Sequence, residues 1–202
     1  MCITNTVKVN NIIPFGGFNW RVLVVRNNEA LLITDKLIEV RAYHNTLEDV
    51  TWEKCDLRAY LNGKFYNNFS PSEKKLIITK TNTNNDNPCF GTPGGNPTDD
   101  KVFLLSIEEV VKYFGDSGHL ARKKWENKIY IVDQFNSDRV AMSINGSANC
   151  WWLRSPGGKS DHAANVTQDG SIDLYRYLVV GDGPDKGALY AGIRPAIWLK
   201  LI

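Results

Sequence analysis

Residues 151–157 read Trp-Trp-Leu-Arg-Ser-Pro-Gly, and the placing of this stretch decides the fold. Bulky side chains in succession, stopped by Pro-Gly, read as a strand that runs into a turn. Alternation along a strand sends Trp151 and Trp152 to opposite faces, so one of them should enter the core.

Working outward, more strands follow on the C-terminal side. AANVTQDGSIDLY (163–175) turns at Asp169-Gly170, and GIRPAIWLKLI (192–202) closes the sequence. The N-terminal third has the same character: FNWRVLVV (18–25), a polar turn, and ALLIT (30–34) form a hairpin, with IEVRAY (38–43) expected to continue the meander. The middle changes period. In TWEKCDLRAYLNGKFYNNF (51–69), Trp52, Cys55, Leu57, Tyr60 and Leu61 recur at helical spacing, with Gly63 as the expected stop. Two capping boxes follow, Ser70 with Glu73 and Ser106 with Glu109, the second helix closed by Gly115. Residues 81–100 are almost all turn formers and are expected to be a long surface loop, and KVFLL (101–105) a short buried strand. With no repeat or linker, residues 1–202 read as one domain, its helices in the middle and its sheet built from both ends.

A net charge of +2 supplies no basic stripe, so no nucleic-acid partner is expected. No apolar run approaches the roughly 18 residues that span a bilayer. The stretch MCITNTVKVNN lacks a charged segment followed by an apolar one. A cytoplasmic or phage-associated location is therefore expected rather than a secreted one. Cys2, Cys55, Cys89 and Cys150 are too scattered for a zinc site and read as free thiols. His44, His119 and His162 are far apart from one another and form no cluster. The loop 181–187 carries Asp182 and Asp185, which could hold calcium, but the EF-hand pattern is missing. No metal and no cofactor are expected.

CWWLRSPG (150–157), AANVTQDGSI (163–172) and GIRPAIWL (192–199), in that order, resemble the last strands of the C-type-lectin-like fold, in the branch of the formylglycine-generating enzymes. DLRAYLNGKFYNNFSPSEKKLI (56–77) and DKVFLLSIEEVVKYF (100–114) look like helical segments of a bacterial domain family of that branch, so the resemblance covers most of residues 18–202. It implies an α+β domain with a small twisted antiparallel sheet, two main helices and long loops. Within it Trp151, Trp152, Arg154 and Arg194 would be structural, the arginines lying where central strands meet and joining several loops through their planar forks.

Enzymes of that branch use a cysteine pair for copper, and related sulfoxide synthases use three histidines for iron. This chain has only Cys150 in its C-terminal region and no histidine cluster, so a non-catalytic binding module is expected, with a protein or glycan as ligand. The alternative is an enzyme, either of the formylglycine-generating type or a hydrolase using the Ser155 to His162 stretch SPGGKSDH. All twenty asparagines lie at or before Asn165. At the upstream density the last thirty-seven residues would hold about four or five. Diversity-generating retroelements replace asparagine codons in this way near the C-terminus of the lectin-like proteins they vary. The recognition surface is accordingly expected over 175–190, at Tyr175, Tyr177, Asp182, Asp185, Lys186 and Tyr190, tyrosine being rigid, large and amphipathic.

Overall fold

Local sequence builds the elements in order. Apolar alternation gives β1 (Ile12–Phe15), β2 (Phe18–Arg26) and β3 (Glu29–Thr34). Asn27 and Asn28, both at positive φ, supply the tight turn between β2 and β3. After β4 (Glu39–Val40), helix α1 (Asp56–Tyr60) runs into a π-helical turn at Leu61–Phe65, passing through Gly63 rather than stopping there. Both capping boxes form, on α2 (Pro71–Lys74) and α3 (Ile107–Phe114). Between these helices lie β5 (Ile77–Ile78), β6 (Lys80–Asn82) and β7 (Thr98–Asp100). The remainder comprises β8 (Tyr130–Ile131), α4 (Asn136–Arg139), β9 (Ala141–Met142), β10 (Ala148–Asn149), β11 (Trp151–Pro156), β12 (His162–Val166), β13 (Ile172–Leu178), β14 (Gly192–Ile193) and β15 (Ala196–Lys200). This computed structural model describes residues 7–121, 129–180 and 191–201, with backbone alone at Arg176 and Tyr177.

The expected α+β, C-type-lectin-like architecture is corrected. Among the described residues 34% lie in strands and 16% in helices, arranged in four sheets, so the domain is mostly β. Helical periodicity around Trp52 yields a single short helix with its π turn, and α3 is only eight residues long.

Two large sheets dominate, ordered β1-β2-β3-β15-β5 and β4-β14-β11-β12-β13-β8, beside the hairpins β6–β7 and β9–β10. IEVRAY does not continue the meander, because β4 pairs with β14. The pairs β3–β15 and β4–β14 form one ribbon that passes from the first sheet to the second. Arg194 and Pro195 mark the crossing, where the Thr34 N–H donates to the Pro195 carbonyl at 3.0 Å. A single hydrophobic cluster draws on both sheets and on α3.

In β11 both faces are covered, so both tryptophans are buried, not one. Register defines two rows across the second sheet. Trp151, Val166, Ile172 and Ile131 form a fully buried apolar row, with Phe114 of α3 packed on Trp151. Trp152, Asn165, Asp173 and Tyr130 form the row on the opposite face.

Candidate functional site

The polar row is the starting point, because polar side chains inside a sheet need a reason. Asn165 has 0% exposure, and neither atom of its amide has a hydrogen-bond partner among the described residues. An unpaired buried amide of this kind costs about 1–3 kcal/mol. Its cross-strand neighbour Asp173 is buried and accepts the Tyr175 N–H at 2.9 Å. Tyr175 lies two residues beyond Asp173, in the stretch where the pairing of β13 with β12 shifts register.

Tyr175 is half-buried and sits in an aromatic group. Its ring centroid lies 5.1 Å from Phe90 and 6.0 Å from His162. A Cβ at Gly158 would stand 1.9 Å from the Tyr175 ring, so only glycine lets the ring lie on that backbone. The Gly158 N–H also donates to the Tyr175 carbonyl at 3.1 Å. Asp161 holds the His162 ring through Nδ1. Phe90 is 41% exposed, which makes it the outermost face of the group.

The loop that carries Phe90 is not the surface loop its composition implies. Asn87 is buried, and its amide reaches the carbonyls of Pro156 (2.8 Å), Gly157 (3.1 Å) and Leu174 (2.9 Å). Its Oδ1 accepts the N–H groups of Cys89 and Phe90, so one side chain ties the aromatic loop to β11 and β13. Sequence reasoning missed Phe90, Asn87 and Asn165. Composition alone marks such a loop as exposed, and no local signal says which of its asparagines turn inward.

The other sequence-derived positions fall as follows. Tyr177 pairs by its backbone with Ala163. Asp182, Asp185, Lys186 and Tyr190, together with the calcium question at 181–187, lie outside the described residues. Trp152 donates from Nε1 to the Arg41 carbonyl at 2.8 Å and packs on Tyr43. Arg154 is buried, paired with Glu109 and donating to the carbonyls of Leu104 (2.9 Å) and Thr83 (3.3 Å). Arg194 donates from Nε to the Thr34 carbonyl at 3.0 Å and lies over the Trp151 ring at 5.1 Å. Burial, then the positive charge of Arg21, lowers its pKa, while Asp35 acts in the opposite direction. Ser155 Oγ accepts the Ile107 N–H at the start of α3, and among the described residues no hydrogen bond joins it to His162.

Burial pushes the Cys55 thiol up to about 12 and the Cys89 thiol up to about 11, so both stay protonated at neutral pH. Cys55, Cys89 and Cys150 form no disulfide among the described residues. No cluster of three or more His, Cys, Asp or Glu side chains could hold a metal among them either. No described helix is long and apolar enough to cross a membrane. A concavity of about 440 Å³ lies at the β4 edge of the second sheet, between β4 and the β9–β10 hairpin. No curated protein and no solved structure matches this chain. A family model does match, over residues 27–201, and by that match the chain belongs to the family described as a domain of unknown function, DUF6273.

Proposed function

We propose that this protein is a non-catalytic recognition module, and that its ligand, a glycan or a protein, binds on the side of the second sheet that carries Tyr175. The observation behind this reading is the accessible aromatic group of Phe90, Tyr175 and His162, which the Asn87 loop brings together with β12 and β13. Aromatic rings supply rigid contact area. Tyr177, Asp182, Asp185, Lys186 and Tyr190 would be its variable contacts. The missing asparagines beyond Asn165 favour diversification by a retroelement. A reverse transcriptase encoded nearby, with a near-duplicate of the 3′ coding end, would establish that origin.

Glycan arrays and displayed peptide libraries probed with the purified protein test the reading. Phe90→Ala should leave stability within about 0.5 kcal/mol. It should also weaken any selected ligand by about fivefold or more, as loss of an interface anchor does. Asn165→Leu should match or exceed the parent in stability, since an apolar side chain of similar size removes the unpaired amide. Ligands that bind Phe90→Ala as well as the parent would overturn the proposed surface.

A further inference from the structure

Two Asn-Gly pairs occur in the sequence, Asn62-Gly63 and Asn145-Gly146. Asparagine before glycine is the sequence most open to intramolecular attack, because no Cβ shields the following backbone nitrogen. Whether the attack occurs depends on what holds the two residues.

Asn62 is locked. It sits in the π-helical turn, its amide donating to the Val102 carbonyl at 2.8 Å and to the Arg58 carbonyl at 3.2 Å. Its Oδ1 accepts the Lys101 N–H at 2.8 Å and the Val102 N–H at 3.3 Å. Helical backbone keeps the Gly63 nitrogen away from the Asn62 side-chain carbon, and these bonds prevent the rotation that would bring them together.

Asn145 is the reverse case. It lies with Gly146 at the exposed tip of the β9–β10 hairpin, Gly146 at φ 88 closing the turn. Its amide nitrogen has no hydrogen bond among the described residues, whereas its Oδ1 accepts from two hydroxyls, Ser143 Oγ and, at 3.3 Å, Ser147 Oγ. Donors aimed at a carbonyl oxygen stabilise the negative charge that an attack on its carbon creates. One turn bond, from the Gly146 N–H to the Ser143 carbonyl at 3.0 Å, restrains the nucleophile, and a solvent-exposed hairpin tip opens such bonds readily.

We infer that Asn145 is a self-modification site at which the folded protein converts asparagine to aspartate and isoaspartate, while Asn62 is protected. The Gly146 nitrogen, its proton taken by solvent base, forms a bond to the Asn145 side-chain carbon. The amide nitrogen leaves as ammonia, and a five-membered succinimide remains. Water then opens either carbonyl of that ring, giving a carboxylate in the normal chain or a backbone rerouted through the side chain. The product places a negative charge in the groove that Asn145 lines together with Leu37, Glu39 and Val40, and so alters what that groove can accept.

The test is peptide-mapping mass spectrometry on protein held in mildly alkaline buffer at physiological temperature, with isoaspartate detected by enzymatic methylation. In the native protein, conversion should accumulate at Asn145 and stay at background at Asn62; in urea both should react. The double change Ser143→Ala with Ser147→Ala should slow the native reaction by about fivefold, the effect of about one lost hydrogen bond to the developing oxyanion. Native Asn62 reacting as fast as Asn145 would overturn the inference. So would an Asn145 that stays intact in the folded protein but reacts in a peptide spanning 141–149.

Discussion

At the scale of single residues, the buried charges define where the fold is most exposed to change. Asp133 and Arg139 form an ion pair of 2.9 Å with side-chain exposures of 3% and 0%. Arg139 also donates to the Gly115 carbonyl, and its own carbonyl accepts from Trp151 Nε1 at 3.1 Å, so the pair fixes α4 beneath the apolar row. Burial by itself would raise the Asp133 carboxyl. The hydrogen bonds from Arg139, with help from Ser117 and the Phe135 N–H, outweigh that and hold it below the ordinary value. A depressed carboxyl contributes stability that is fully present above the unfolded-state range, near pH ~4, and that is lost as the pH falls through the native value. Asp133→Asn should therefore cost about 3–5 kcal/mol at neutral pH by leaving Arg139 buried without its partner. In urea titrations repeated across the acid range, the variant should lack the part of the acid-side decline that this carboxyl produces. A variant curve parallel to the parent curve would show that Asp133 is not responsible.

At the scale of elements, one motif occurs twice with different consequences. The boxes on α2 and α3 are alike in sequence and both close, Ser70 with Glu73 and Ser106 with Glu109. Glu73, half-buried, bonds to Ser70 and to the Gly16 N–H. Glu109 also pairs with the buried Arg154, which reaches on to Thr83 and Leu104. Glutamine preserves the box but not the charge. Glu73→Gln should thus stay within about 0.5 kcal/mol of the parent. Glu109→Gln should cost about 1.5–3 kcal/mol, the worth of a hydrogen bond to a charged group. Thermal unfolding of the pair decides it, and equal losses would mean that Arg154 draws no stability from Glu109. This comparison also shows what was legible in the sequence. The boxes, the β2–β3 hairpin and the turn at Asp169-Gly170 rest on residues within a few positions of one another, and local chemistry reveals them. The partner of β4 and the burial of Asn87 could not be read in that way. Asn87 meets carbonyls 69, 70 and 87 positions away, and nothing in TNTNNDNPCF distinguishes it from its neighbours. The same holds for the candidate site: Tyr175 could be picked out from the sequence as a candidate, but Phe90 comes beside it only when distant segments meet.

At the scale of the whole molecule, the ribbon that crosses between the sheets makes them depend on each other. Trp20 and Trp198 belong to the first sheet, Trp151 and Trp152 to the second, and all four are buried. With Arg194 bridging the Thr34 carbonyl and the Trp151 ring at the crossing, neither sheet can open without disturbing the other. Urea unfolding followed by tryptophan fluorescence and by far-UV circular dichroism should give one superimposable transition. Two separated midpoints would show that the sheets are independent units. The ribbon also sets a timetable for the chain as it is made. Ala196 pairs with Ile33, and β15 fills the place between β3 and β5, so the first sheet has a gap in it until residues 196–200 have left the ribosome. During that interval β3 presents an apolar strand with an unpaired edge, the kind of surface to which chaperones and neighbouring nascent chains bind. Closure depends on contacts far apart in sequence and is correspondingly slow. For this protein, the vulnerable period of its life is its synthesis.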